Sequence, residues 1–403
     1  MFIENECGLD REEIRQALKI DPGSMKKVLL IPPDITRANS GAGVITSLYY
    51  ETYTAAGVHV DILPALGTHA PMTREEQLEM YGDIPQERFL VHNWRDGVTS
   101  LGEIPKDIAG EAISVEVSNY LLDGYDLILS IGQVVPHEVV GMANYTKNIV
   151  VGCGGKSFIS ASHMLGARHG IEETMGYVDT PVRRLFDYAE KHFLSKLPLQ
   201  YVLTVTVTNK GKTDIIGLYS GADGRESFLR ASALSQKMNI TTVERPIDTC
   251  VVMLDAKEFH STWIGNKAVY RSRRAMADGG RLIVLAPGVK GFGEDAENDR
   301  IIRKYGYTGR DNILKLVEVE KELQENLSAA AHLIHGSSEG RFEVIYATPL
   351  LSKEEVEGVG YQYMNYDEAL ALYGSLSKPG FNEDVYFITN PAVGLWKFDK
   401  KGI

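Results

Sequence analysis

The sequence predicts an α/β protein built as two α/β domains with mostly parallel sheets. Short β-rich runs (KKVLLIPPD, VHVDILPALG, YDLILSIGQ, TCVVMLDA, RLIVLAPG) alternate with helix-patterned segments, which is the alternation that builds parallel sheets. At 403 residues the chain exceeds the size, about 250–300 residues, at which a single core stops growing. Its composition, 44% hydrophobic and 24% charged, is that of an ordinary globular chain. The change of pattern after the hairpin-like segment ending near residue 220 divides the chain into an N-terminal domain, 1–220, and a C-terminal domain, 221–403.

The elements follow in order. DREEIRQALKI places Ile14, Leu18 and Ile20 at roughly helical spacing behind an acidic first turn, which suits the positive end of a helix. KKVLLIPPD is a strand ended by prolines, and VITSLYYETYTAAG a helix. VHVDILPALG is the second strand and delivers GTHAPMT at its end. TREEQLEMYG is a helix with Thr73 as its N-cap. ERFLVHNWRDGVTSLGEIP is read as a strand running into turns, and EAISVEVSNYLL and YDLILSIGQ as further strands. TPVRRLFDYAEKHFLSKL is an amphipathic helix with Pro181 near its start and Val182, Leu185, Phe186, Ala189 and Phe193 on one side. QYVLTVTVTN alternates Val and Thr like a half-buried strand, joined by NKGK to DIIGLYSG as a hairpin. ADGRESFLRASALSQKM and NKAVYRSRRAMADGG are read as helices, with TCVVMLDA, RLIVLAPG, FEVIYATPL and DVYFITNPAVGLW as strands. His332 and His335 are three apart with no carboxylate at helical spacing, so a helix end closed by Gly336 is favoured over a metal pair.

Charge and cysteine usage exclude several function classes. A net charge of −12 argues against nucleic-acid or anionic-membrane binding as the main task, and requires any carboxylate-binding site to be locally basic. Cys7, Cys153 and Cys250 are odd in number and widely spread, which suggests neither a disulfide scaffold nor a cysteine zinc site. The first residues carry acids where a secretory signal carries bases, and no apolar run reaches the ~18–20 residues of a membrane span. A cytoplasmic protein is expected. Its oligomeric state is not legible.

Chemistry-bearing residues gather at strand ends. Asp34, Thr36 and Arg37 lie between a strand's carboxyl end and a helix's amino end, where backbone N–H groups and the dipole favour anions. A plain turn with a solvated arginine fits the same residues. His69 occupies the same class of corner, whereas His59 and His92 sit in strand-like patterns and read as structural. The densest stretch is PHEVVGMANYTKNIVVGCGGKSFISASH, residues 136–163, with His137, Lys147 and His163. These types can move protons, bond covalently to an electrophile or bind a soft metal. On residue type alone, surface or core histidines fit equally well. NIVVGCGG lacks the full glycine spacing of a dinucleotide fingerprint. Its glycines are read as turning the backbone between Lys147 and His163, and Lys156 beside them as a phosphate contact.

The order His137, nine residues, Lys147, fifteen residues, His163, with LGTHAPMT around His69 and PPDITR around Asp34, resembles the lactate racemase family over most of the chain. The resemblance implies a racemase or epimerase of an α-hydroxy acid acting by reversible proton-coupled hydride transfer. Its cofactor is a nickel-pincer nucleotide, the nickel complex of pyridinium-3,5-bisthiocarboxylic acid mononucleotide, joined covalently to Lys147 through a thioamide. His163 is then the nickel ligand and His69 and His137 the acid–base pair. Asp34, Thr36 and Lys156 contact the cofactor, and Arg37, Trp263 and Lys267 the substrate, in an active site expected in the cleft between the two domains. Tyr270 and Arg274 share the four-residue spacing of Trp263 and Lys267, which are preferred as nearer the strand end. The implied partners are a small hydroxy acid and the enzymes that make the cofactor.

Three departures shape the substrate expectation. ANYT stands where glycines commonly precede the tethering lysine, Ala38 follows Arg37 in place of proline, and Ala70 follows His69 in place of arginine. Lactate is therefore not favoured, and a larger hydroxy acid, such as a sugar acid epimerised at C2, is expected at least as much. Two other classes remain: a zinc hydrolase using His69, His137 and His163 with Glu138 as base, and a non-catalytic carboxylate-binding protein.

Overall fold

In the computed structural model the alternating runs become two six-stranded sheets, each in its own compact unit. The structure describes residues 1–209, 212–221, 223–392 and 394–399. One unit comprises Met1–Ser162 and Tyr177–Met238, the other His163–Gly176 and Asn239–Ile403. The sequence suggests one boundary after residue 220; the units themselves are discontinuous, because the 163–176 segment groups with the later residues.

The first unit's sheet runs in the order Phe2–Glu4, Lys212–Gly221, Leu199–Asn209, Leu127–Gln133, Lys27–Ile31, His59–Ile62. The last four are parallel and the first two make an antiparallel edge. Leu127–Gln133 is buried at every position, as a central strand covered on both faces must be. The expected hairpin joins Leu199–Asn209 to Lys212–Gly221, and its turn residues Lys210 and Gly211 lie outside the described residues. The Val/Thr strand is not half-buried as the alternation suggests: Tyr201 to Thr206 are all buried. Its hydroxyls tolerate this because they are bonded, Thr204 Oγ1 to the Ser40 carbonyl (2.6 Å) and Thr206 Oγ1 to the Asn39 carbonyl (2.9 Å).

Helices begin where the capping residues place them. Asp10 with Glu13 and Thr73 with Glu76 form reciprocal capping boxes for Arg11–Leu18 and Arg74–Tyr81. Helix Ala42–Ala55 lies so close to the latter that a Cβ on Gly43 would stand 1.9 Å from the Met80 carbonyl oxygen. Pro181–His192 starts with proline behind the Thr180 cap and buries Val182, Leu185, Phe186 and Ala189, but also Arg183.

Three local expectations are corrected. ERFLVHNW forms a short 3-10 turn, Gln86–Arg88, and irregular chain, whereas Val98–Ile104, read as turns, is a strand paired antiparallel with Ile113–Ser118. Val98–Ile104 is buried only at Ile104 and its register shifts between Ser100 and Glu103, so no apolar alternation marks it, unlike its partner, which buries Ile113, Val115 and Val117. The 136–163 stretch holds two helices, Thr146–Val150 and Lys156–His169, so His163 sits within a helix.

In the second unit the order is Gln362–Met364, Glu343–Ala347, Met276–Leu285, Ile247–Met253, Val385–Ile388, Gly380–Asn382, parallel except for the last pair. Here the third correction falls: MADGG opens the strand Met276–Leu285, and the helix stops at Ser272. The Gly279–Gly280 pair disfavours helix, and a Cβ at Gly280 would stand 2.9–3.0 Å from three carbonyl oxygens. Among the described residues no helix is long and apolar enough to cross a membrane.

Candidate active site

The first unit's parallel strands carry the site at their carboxyl ends. The chain leaves strand Lys27–Ile31 toward His59–Ile62 and leaves the adjacent strand Leu127–Gln133 in the opposite direction, toward Leu199–Asn209, and such switch points are where α/β sheets place ligands. Asn148 bridges this point: its Nδ2 donates to the Ile31 carbonyl and to Ser130 Oγ, both at 3.0 Å. Its neighbour Lys147 is thereby fixed over the sheet edge.

Asp34 and His69 are brought together by backbone pairing of the two strand-end loops. The Ala65 N–H donates to the Pro32 carbonyl (2.8 Å), and Pro33 and Ala65 form a parallel bridge. His69 Nδ1 then donates to Asp34 Oδ2 at 2.5 Å, while Asp34 Oδ1 accepts from the Thr36 N–H (3.1 Å) and hydroxyl (2.5 Å). Burial alone pushes the Asp34 carboxyl up, but the bonds from His69 and Thr36 and the charges of His69 and Arg37 outweigh it and hold it below the usual range. An ionised Asp34 fixes the proton of a neutral His69 on Nδ1, and Nε2 of this half-exposed ring is left as the basic atom. The same loop reaches the lysine segment, since the Gly67 N–H donates to the Gly152 carbonyl (2.8 Å) and the Gly152 N–H to the Lys147 carbonyl (3.1 Å).

His137 is set the other way. It is buried in a small ribbon, Pro136–His137 paired with Gly141–Met142, and its Nδ1 accepts from the Val139 N–H at 3.1 Å. That bond places the proton of the neutral ring on Nε2. The Glu138 carboxylate stands 3.7 Å from the same Nδ1, beyond hydrogen-bond reach.

Lys147 is half-buried, and among the described residues its ammonium makes no hydrogen bond or ion pair. Burial, then Arg37, push its pKa down to about 8, with Arg183 adding to them and Glu138 and Asp34 opposing. Residues from three segments, the Asp34–Arg37 turn, Glu138 and Arg183, therefore act on this one amine.

The remaining candidates are placed as follows. Arg37 is half-buried, in a non-helical conformation inside the turn Ile35–Ser40, and donates to the Thr36 carbonyl (3.3 Å). Lys156 is exposed at the start of its helix, where the Ser157 N–H donates to Glu116 Oε2 (3.2 Å), so the chain's own carboxylate caps the end that a phosphate would use. His163 is half-buried midway along Lys156–His169. In the second unit Trp263 stacks on His332 at 4.3 Å, and the buried Lys267 lies 3.7 Å from Glu258 and above the Phe259 ring. Of the residues with matching spacing, Tyr270 packs with Ile171, Met175 and Leu395, and Arg274 donates to the Met175 carbonyl. His332 accepts or donates at Tyr307 Oη (3.0 Å), near the helix end at Gly336. Among the described residues no three His, Cys, Asp or Glu side chains gather as a metal-holding group. Reading the sequence missed Asn148, Arg183 and the two clamping threonines; the Val/Thr alternation was the one signal for any of them.

Residues 12–176 match the family described as Lactate racemase N-terminal domain. The chain is 25% identical over 315 residues to the lactate racemase of Thermoanaerobacterium thermosaccharolyticum, covering 72% of this chain and 68% of that protein. Among solved structures, a Thermotoga maritima protein superimposes with a TM-score of 0.85 at 25% identity, over 98% of this chain and all of that one. The lactate racemase apoprotein of T. thermosaccharolyticum shares the fold, with a TM-score of 0.75 at 19% identity over 96% and 92% of the two chains. The two comparisons agree: residues 12–176 match the lactate racemase N-terminal domain, and the chain as a whole shares its fold with the lactate racemase apoprotein.

Proposed function

We propose that this protein racemises or epimerises a 2-hydroxy carboxylate larger than lactate, with a nickel-pincer nucleotide joined to Lys147. The observation that carries this reading is the Lys147 amine itself. It is partly buried, makes no hydrogen bond or ion pair among the described residues, and has its pKa brought down to about 8, so that a fraction is the nucleophilic free base at neutral pH. An amine in that state suits acylation, and the residues fit the group to that extent. When bound, the group supplies a reversible hydride acceptor for the Cα–H of the substrate, with His163 as the protein's ligand to its nickel.

The chain's own residues handle the proton and the carboxylate. His69, held by Asp34, presents Nε2 to take the hydroxyl proton, and the imidazolium so formed stays paired with an ionised Asp34. His137 presents its Nε2 proton to the substrate oxygen. Turning its Nδ1 from the Val139 N–H to the Glu138 carboxylate transfers the basic position to Nε2, so the same ring serves the opposite enantiomer. Arg37 is assigned the carboxylate, which its guanidinium can hold by two parallel bonds. Asp34 and Thr36 are engaged with each other and with His69, so their role is to orient the base. Lys156 stays assigned to the cofactor phosphate, and Trp263 and Lys267 to the substrate. Ala38 and Ala70, both exposed beside Arg37 and His69, leave room for a substituent larger than methyl.

The test is mass spectrometry of protein from cells that make the cofactor, followed by turnover of enantiopure hydroxy and sugar acids in D2O. A nucleotide-sized adduct on Lys147 is expected, with product that keeps its original Cα hydrogen. An unmodified Lys147 despite a working cofactor pathway, or deuterium entering at Cα, overturns the reading.

A further inference from the structure

Asn144 (φ 66) and Tyr145 (φ 58, ψ −135) are consecutive non-glycine residues in the left-handed region, immediately before the helix that carries Lys147. Asparagine tolerates this; a tyrosine there costs ~1–3 kcal/mol and persists only where its surroundings impose it. The surroundings are specific. The Tyr145 ring stacks on Phe228 (5.4 Å, 22°) and packs against Tyr201 (4.6 Å), and a Cβ on Gly224 would stand 2.6 Å from Tyr201 and 2.9 Å from Tyr145. The Tyr145 N–H donates to Asn144 Oδ1 (2.7 Å). Next along the chain, Thr146 Oγ1 donates to Glu190 Oε2 (3.0 Å), which also accepts from Tyr201 Oη (2.6 Å).

Beneath this turn lies Arg183, with no exposed surface at all. Its Nη2 donates to the Met142 carbonyl (2.6 Å) and to the Asn144 carbonyl (3.4 Å), and its guanidinium lies 4.3 Å from the Phe228 ring centre. Among the described residues Nε and Nη1 have no hydrogen-bond partner, and the nearby Asp187 is paired instead with Arg225 at 2.9 Å. Burial lowers the Arg183 pKa to about 10, with Asp187, Tyr145 and Tyr201 opposing and Arg225 adding, so the group is a cation at neutral pH. An apolar side chain of similar volume fills such a space at no desolvation cost. What the arginine adds is a grip on two carbonyls of one strained turn and a positive charge felt at Lys147.

We propose that Arg183 is a positioning residue for Lys147: it closes the left-handed Asn144–Tyr145 turn that presents the lysine, and so determines how readily the Lys147 amine is acylated. This rests on reading Lys147 as the attachment point. The charged groups acting on the amine are Arg37, Glu138, Arg183 and Asp34, and Arg183 also holds the backbone beside it.

The experiment is competitive acetylation of the full chain, unloaded, by acetic anhydride over pH from about 6 to 11. The rate at Lys147 is read by peptide mass spectrometry against the exposed Lys321. Wild type is expected to show a midpoint near pH 8. Arg183→Met is expected to raise the midpoint and lower labelling at neutral pH about threefold or more, the equivalent of half a pKa unit. Arg183→Lys keeps the charge, but its shorter side chain does not carry the ammonium to the position of Nη2 that bonds both carbonyls, and it is expected to restore the midpoint while the rate stays low. If Arg183→Met does not fold, Arg183→Lys decides by its rate. Superimposable Lys147 profiles in wild type and the folded variants overturn the proposal. Because the readout needs no cofactor, a missing native adduct leaves this inference standing, and a native adduct with unchanged acetylation overturns it alone.

Discussion

Two turns at the carboxyl edge of the first unit's sheet carry Arg37 and Lys147 of the candidate site, and they are built in opposite ways. The turn from Asp34 to Gly41, which presents Arg37, takes its left-handed corner at a glycine (φ 72) and is held by neutral hydroxyls, Thr204 and Thr206, on the Ser40 and Asn39 carbonyls. The turn before Lys147 takes its left-handed corners at Asn144 and Tyr145, and is held by a buried arginine two of whose nitrogens have no hydrogen-bond partner among the described residues. One turn is relaxed and satisfied; the other is strained and electrostatically unfavourable. Strain and perturbed protonation are thus concentrated on the segment bearing the Lys147 amine, and its neighbour supplies a rigid frame.

The largest effect that tests this contrast is in the relaxed turn. Gly41→Val places a branched residue at φ 72 and a Cβ 2.4 Å from Ile215 Cγ1. The left-handed penalty of ~1–2 kcal/mol and overpacking of ~1–3 kcal/mol give an expected loss of about 3 kcal/mol, read as a lower urea midpoint. An unchanged midpoint means the turn is not rigid, and the contrast fails.

The second effect has the opposite sign. Lys147 has its folded-state pKa lowered from the ordinary 10.5 to about 8, so between those values the unfolded chain binds the extra proton. Stability therefore rises with pH across this window, and below pH 8 the lysine destabilises the fold. Lys147→Met is expected to stabilise the protein at neutral pH by about 2 kcal/mol after discounting for partial exposure, with the gain fading as pH climbs through the window. A variant less stable than wild type at neutral pH contradicts the unfavourable setting assigned to Lys147.

These contrasts also explain what the sequence made legible. The parallel sheets were legible because buried strands such as Leu127–Gln133 are continuous apolar runs, and His69 because it closes such a run. The strand Val98–Ile104 was not, since it is bulged and buries only Ile104, leaving the apolar face of the pair to Ile113, Val115 and Val117 of its partner. The histidines and Lys147 stood out by type and order. Their tautomers did not, because these depend on Asp34, 35 residues from His69, and on the Val139 N–H. Arg183 was hidden by its charge: a helical pattern sends Arg to the solvent face, although 183, 186 and 190 share one side of Pro181–His192. The left-handed turn was hidden because ANYT contains no glycine.

The smallest expected effect makes the sharpest test of that hidden turn. Asn144→Gly lets position 144 keep φ 66 without strain, which favours the fold by several tenths of a kcal/mol, but it removes the Oδ1 acceptor of the Tyr145 N–H, worth ~1 kcal/mol. The two nearly offset, so the variant is expected within ~0.5 kcal/mol of wild type. Asn144→Ala loses the acceptor and keeps the left-handed penalty, and is expected to lose ~1–2 kcal/mol. The difference between glycine and alanine isolates the backbone term, since neither side chain can accept the bond. Equal urea midpoints for the two variants mean that the turn opens when its hydrogen bond is lost, which locates its rigidity in Asn144 and not in the Arg183 grip on the Met142 and Asn144 carbonyls.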